Sequence, residues 1–244
     1  MSGLSKNKIK WIRSLHLKKN RDEFGLFLVE GEKMVTEALR EFPEIIEEVY
    51  TTCALESYHY KGSIELISDA ELSQLSTLKT PNKTIAVLRK PAKVNSNISE
   101  GLILVLDGVQ DPGNMGTILR TADWFGIKTV VCSEDTADIF NPKVIQASMG
   151  SVLRMNVIYT VLETFLSTCH LPIYGALLEG ENVYSTTLKK TGVLVMGNEG
   201  KGIRPNVKAY INTPIHIPGF GKAESLNVAV ATGILLSEFK RAEG

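Results

Sequence analysis

The sequence predicts two α/β domains, the second built on a parallel β-sheet. Three observations carry this. After residue 101 the chain repeats a pattern of strand, loop and helix, which implies a parallel sheet covered on both faces. Its first strand, LILVLD (102–107), is apolar on both faces, as a central parallel strand must be. Between this part and the first 90 or so residues lies KPAKVNSNISEG (90–101), which is polar, contains Pro91 and lacks apolar periodicity. The expected division is therefore 1–92 for the first domain, 93–100 for a linker and 101–244 for the second domain.

The elements follow in order. Residues 5–20 carry Ile9, Ile12 and Leu15 at a spacing near three, which predicts one helix with an aliphatic face. FGLFLVEG (24–31) reads as a short buried strand, and GEKMVTEALREF as a helix with Met34, Val35, Ala38, Leu39 and Phe42 inward. IIEEVYTT and IELIS are strands. Ser68 followed by Glu71 makes a capping box for a short helix. TIAVLRK (84–90) closes the first domain as a strand. In the second domain IKTVVCS, PIYGALL, GVLVMG and TPIHIP are the further strands.

Composition excludes several classes. No run of about 18 apolar residues is present, so no membrane helix is expected. The charged N-terminus lacks the apolar core of a secretory signal, and the cytoplasm is the expected setting. Cys53, Cys132 and Cys169 are scattered, and no His or Cys pair has metal-like spacing, so no metal site is expected. Net charge is zero, with 27 basic and 27 acidic residues. Residues 1–21 nevertheless contain seven Lys and Arg and no acid. Such a stripe either grips a phosphate backbone or is a solvated helix face or a loose N-terminal arm, and charge alone does not decide between these.

Three stretches near strand ends combine glycines with polar groups: NMGTILRTADWFG (114–126), VMGNEGKGI (195–203) and IPGFGKAESLNVAVATGILLSEF (217–239). The turn after LILVLD has no GxGxxG, which argues against an ordinary dinucleotide site. The second stretch lacks the GxxxxGK[ST] spacing of a nucleotide-hydrolysing loop. Ser148 lacks the first glycine of a nucleophile elbow, and no His is placed to serve it, which disfavours a hydrolase. What remains is a site of backbone turns, amides and one arginine, Arg120. Ser225 reads either as the N-cap of the last helix or as part of the site.

Together these stretches resemble the three motifs of the SpoU/TrmH family of RNA ribose 2′-O-methyltransferases, in the SPOUT superfamily. Asn114, Gly116, Arg120, Ala122, Phe125 and Gly126 match the first; Gly197, Asn198, Glu199, Gly200 and Gly202 the second; Ile217, Pro218, Ser225, Leu226, Asn227 and Val228 the third. Ala229 departs from the pattern, which has a second serine there. The N-terminal part resembles the family's L30e-like substrate-binding domain.

The resemblance implies an α/β-knot domain, in which the C-terminal segment threads a loop as a deep trefoil knot. It implies S-adenosylmethionine as cofactor, held by the main chain of Gly197, Ile217 and Leu226, with Asn198, Glu199, Gly202 and Pro218 in the same cradle. Arg120 becomes the main catalytic residue, and Asn114 orients it or the ribose. Ser225 and Asn227 order the cofactor and the target ribose. By the same resemblance the expected substrate is RNA, with 23S ribosomal RNA preferred over transfer RNA, and the expected assembly is a homodimer. Arg13, Lys18, Lys19, Arg21 and Lys33 are the candidate phosphate contacts. The alternatives are a transfer-RNA 2′-O-methyltransferase and a catalytically inactive RNA-binding protein on the same scaffold.

Overall fold

The computed structural model describes residues 3–91 and 101–241, so the expected linker, 93–100, lies outside the described residues. The chain gathers into two compact units. One is Met1–Ala92 together with Phe140–Leu153; the other is Lys93–Ile139 together with Arg154–Gly244.

The first unit begins with helix α1 (Lys6–Ser14) and helix α2 (Lys18–Phe24). The sequence predicts one helix here, but the chain breaks it at Leu15–Leu17. Leu15 turns inward and is fully buried, and Arg21 of α2 reaches back to donate to the carbonyls of Leu15 (3.0 Å) and His16 (2.9 Å). Those carbonyls sit at the end of α1, where helical partners run out. Arg21 is only 2% exposed. It is therefore an internal cap and not a surface phosphate contact, which corrects its place among the candidates.

Strand β1 (Leu26–Glu30), helix α3 (Glu32–Glu41), strand β2 (Ile46–Thr51), strand β3 (Ile64–Leu66), helix α4 (Asp69–Leu75) and strand β4 (Thr84–Arg89) follow. The sheet order is β1-β4-β2-β3; β4 is antiparallel to both its neighbours, and β3 is parallel to β2. The capping box forms as expected: the Ser68 hydroxyl accepts from the Glu71 N–H, and the Glu71 carboxylate accepts from the Ser68 N–H. A cap of this kind contributes about 1 kcal/mol. Ile12, Leu15, Leu28, Tyr50, Leu72, Leu75, Ile85 and Val87 form one core cluster, against which Trp11 packs half-buried.

The second unit holds a six-stranded sheet, parallel throughout. Its elements, in chain order, are β5 (Leu102–Leu106), α5 (Pro112–Trp124), β6 (Thr129–Cys132), then β7 (Asn156–Tyr159), α7 (Leu162–Ser167), β8 (Ile173–Asn182), β9 (Gly192–Met196), α8 (Pro205–Lys208), β10 (Thr213–His216) and α9 (Val228–Arg241). Between β6 and β7 lies α6 (Pro142–Ser148), within the segment that belongs to the first unit. There Phe140 packs on Phe27, ring centroids 4.7 Å apart, and Gln146 donates to the Glu30 carbonyl at 2.9 Å.

The order is β10-β8-β9-β5-β6-β7. β7 is a strand the sequence reading omits: NVIY is four residues long, at the sheet edge, and none of it is fully buried. β10 occupies the opposite edge, where Pro214, which has no N–H to give, is tolerated. β8 runs beyond PIYGALL into the polar EGEN. It can do so because Gly180 lets the β10 backbone close in; a Cβ there would lie 2.5 Å from the Ile215 nitrogen. The buried residues of β5 and β9 (Ile103, Val105, Val193, Val195) join Leu162, Leu166 and Ile173 in the core on one face. Among the described residues no helix is long and apolar enough to cross a membrane.

Candidate active site

Strand order decides where a site can form. From β5 the chain moves to β6 on one side, while β9 lies on the other. In open α/β sheets, a reversal of this kind is where a crevice forms, at the carboxyl ends of the strands. The first motif follows β5 and the second follows β9. The topology thus brings together stretches some eighty residues apart.

After β5, Gly108 takes the left-handed conformation (φ 74°), and Asp111 caps α5 by accepting from the Asn114 N–H at 2.8 Å, with Pro112 as its first helical residue. After β9 the chain makes a tight hairpin. Asn198 and Gly202 exchange backbone hydrogen bonds, both 3.0 Å, and the Asn198 side chain accepts from the N–H groups of Gly200 and Lys201. Gly202 is left-handed (φ 67°). Gly197 is required for a different reason: a Cβ there would lie 2.3 Å from the Gly202 carbonyl carbon and 2.4 Å from the Ile203 nitrogen.

Side chains then join all three motifs. Asn227 donates to the Asn114 Oδ1 at 2.9 Å, and Asn114 donates to the Glu199 Oε1 at 3.1 Å. The Asp111 N–H also points at Glu199 (3.4 Å), which places a carboxylate at the N-terminus of α5, where the helix dipole favours it. Asn198 donates to the Gly108 carbonyl at 2.7 Å and to Glu199 at 3.3 Å. Asn227 is also the N-cap of α9, accepting from the N–H groups of Ala229 and Val230. The cap therefore falls on Asn227, not on Ser225.

Asn114, Asn198, Glu199 and Asn227 form one connected network. Arg120 and Ser225 stand outside it; both are exposed, and neither side chain makes a hydrogen bond or ion pair among the described residues. The Asn114 amide is committed to Glu199 and Asn227 and does not engage Arg120. From Ile217 to Leu226 no backbone group makes a backbone–backbone hydrogen bond among the described residues. Phe220 (96% exposed) and Leu226 (49%) hold their apolar side chains in the open. A ten-residue run with unspent main-chain donors and acceptors, next to uncovered apolar groups, suits a ligand bound chiefly by backbone contacts.

One polar group lies beyond the residues singled out from sequence. Asp107 is fully buried and pairs with Arg204, whose N–H and Nε reach its two oxygens at 2.7 and 2.6 Å. The only sequence signal for it is a carboxylate at the end of the apolar run LILVLD. Among the described residues no cluster of His, Cys, Asp and Glu is placed to hold a metal ion.

Residues 101–237 match the SpoU rRNA methylase family. This chain belongs to that family. Residues 6–86 match the MRM3-like substrate binding domain. The chain is 33% identical over 239 residues to the 23S rRNA (guanosine(2553)-2′-O)-methyltransferase RlmP of Bacillus subtilis, covering 94% of each. Among solved structures, a TrmH-family protein from Porphyromonas gingivalis superposes with a TM-score of 0.88 at 42% identity, covering 98% of this chain and 99% of that one. An AdoMet-bound rRNA methyltransferase from Sinorhizobium meliloti gives 0.86 at 28% identity, covering 99% and 97%. The methylase match spans Asn114, Asn198, Glu199 and Asn227, so the network lies within the SpoU domain.

Proposed function

We propose that this protein transfers a methyl group from S-adenosylmethionine to a ribose 2′-hydroxyl of RNA, with 23S ribosomal RNA as the substrate, in the cytoplasm. The observation that carries the reading is the Asn227–Asn114–Glu199 network, which locks three family motifs together at a strand-end crevice beside the open Ile217–Leu226 backbone. Gly197, Asn198, Glu199, Gly202, Ile217, Pro218 and Leu226 would hold the cofactor, and in this reading the path through β9, β10 and α9 is a trefoil knot.

When bound, S-adenosylmethionine supplies an electrophilic methyl group on a positively charged sulfur. The protein has to align the ribose oxygen with it and manage one proton. Arg120 is an uncommitted cation on α5. A guanidinium stays protonated, so its suitable work is to grip a phosphate and to stabilise the alkoxide that develops as the 2′-hydroxyl gives its proton to water; the ribose oxygen takes the methyl group, and the cofactor's sulfur leaves as a neutral thioether. Asn114 and Asn227 keep the motif loops in place, and Ser225 has a free hydroxyl for the ribose or the cofactor. Assaying methyl transfer to ribosomal and transfer RNA, and mapping the 2′-O-methyl product, tests the proposal. Cofactor binding without transfer to any RNA would favour the inactive-scaffold alternative.

The same reading makes the enzyme a homodimer. Trp124 (85% exposed), Val230 (53%) and Tyr184 (49%) stand uncovered, and Tyr184 and Val230 border an open cleft between α5 and α9 with Thr117, Thr121, Gly233 and Ile234. Arg120 shares a helix face with Thr117 and Trp124. A second copy covering this face would enclose the arginine in the site. Sedimentation equilibrium should give twice the chain mass, and a monomer at all concentrations would reject the dimer.

For RNA selection, Arg13, Lys18, Lys19 and Lys33 are exposed on the first unit. Changing all four to Ala should weaken RNA binding and flatten its salt dependence, by roughly 0.7–0.9 in log–log slope for each phosphate no longer neutralised. Cofactor affinity should not change. An unaltered slope would remove these cations from the interface.

A further inference from the structure

The buried carboxylate of Asp107 lies where the ends of three strands meet. Its partner Arg204 comes from the segment after β9, two residues past the Asn198–Gly202 hairpin. The Arg204 N–H donates to Asp107 Oδ2 (2.7 Å), Nε donates to Oδ1 (2.6 Å), and a terminal amino group also reaches Oδ1. That amino group lies 3.5 Å from Asp135, in the loop after β6. Asp135 in turn accepts from the Ser133 hydroxyl at 2.7 Å, and Ser133 accepts from the Gly108 N–H at 2.9 Å. Hydrogen bonding from Ser133, with Arg204 nearby, holds the Asp135 carboxyl below the ordinary aspartate range.

A carboxylate taken out of water is costly unless it is paired and its lone pairs are filled. Here the compensating group is carried by the hairpin's own tail. The tail therefore has one register in which the buried charge is satisfied, and a slip by one residue would leave Asp107 unpaired. At the other end, Asn198 grips the Gly108 carbonyl. The hairpin is thus pinned on both sides to the turn that follows β5.

We infer that Arg204 and Asp107 are positioning residues that hold the Gly197–Ile203 loop in its cofactor-binding shape before the cofactor arrives. This rests on the reading of that loop as part of the S-adenosylmethionine cradle. Without the pair, the loop would have to be ordered on binding, and affinity would fall by that amount.

The test compares the intact wild-type protein with Arg204→Lys, which keeps a charge beside Asp107 and so favours folding, and with the neutral pair Arg204→Gln/Asp107→Asn. Hydrogen exchange at the amides of 199–203 is measured without cofactor, together with calorimetric binding of S-adenosylmethionine and RNA affinity. Exchange at these amides should accelerate about tenfold relative to the rest of the unit, with cofactor affinity falling by a similar factor and RNA affinity unchanged. The double variant should cost less than the sum of Arg204→Gln and Asp107→Asn made singly, because the two groups act as one. If the variants lose global stability while 199–203 exchange and cofactor affinity stay at wild-type values, Arg204 is only a strut and the inference is overturned. If wild type itself binds no S-adenosylmethionine, the cofactor reading fails, while the exchange arm still decides whether the pair orders the loop.

Discussion

Arg120→Ala is expected to reduce methyl transfer by a factor on the order of a hundred to a thousand while leaving cofactor affinity and stability near wild type. The rate estimate follows from removing a charged donor aimed at developing negative charge. The intact fold follows from the structure: Arg120 is exposed, and its side chain makes no hydrogen bond or ion pair among the described residues. Exposed substitutions of this kind change stability by about 0.5 kcal/mol or less. Arg120→Lys should rescue little, because an ammonium cannot reproduce a planar bidentate fork. Single-turnover transfer with saturating RNA, alongside calorimetry with S-adenosylmethionine, separates chemistry from binding. Near-normal turnover in the alanine variant would end the assignment of Arg120.

Gly197→Ala should abolish cofactor binding through geometry alone. The added methyl would lie 2.3 Å from one backbone atom and 2.4 Å from another, and backbone cannot swing aside as a side chain can. The hairpin must shift, and with it the Asn198 and Glu199 hydrogen bonds to Gly108, Asp111 and Asn114. Overpacking of this kind costs about 1–3 kcal/mol, so the domain should still fold with a lower urea midpoint. Gly200→Ala is the control: the nearest atom to its Cβ is the Asn198 Oδ1 at 3.8 Å, and its backbone is not left-handed. That variant should bind the cofactor normally. Equal losses from both changes would show that the loop tolerates no substitution at all, and the steric account of Gly197 would fall.

What could be read from the sequence followed from signals that are local. LILVLD announces a central strand because both faces must be apolar, and Ser68 with Glu71 announces a helix start because the cap spans three residues. The motif positions were legible for the same reason, each being contiguous. Properties set by distant partners were not. Arg21 looks like one more cation in a basic stripe until the break in α1 supplies two carbonyls for it. Ser225 is a good cap on paper, and only the path of the loop gives that place to Asn227 instead. Asp107 and Arg204 are 97 positions apart, and nothing near either one names the other. β7 escaped because an edge strand of four half-covered residues has neither strict alternation nor a fully apolar run.

The return of Phe140–Leu153 to the first unit bears on how such a chain can evolve. The first unit is not a cassette with a single seam. A recombination event near residue 100 would separate Phe140 from Phe27 and Gln146 from the Glu30 carbonyl, and would leave both sides with surfaces made for an absent neighbour. Replacing the first unit would require a matched change inside the methylase sequence, between β6 and β7. The two stretches are therefore expected to change together, since each supplies the contacts that the other lacks.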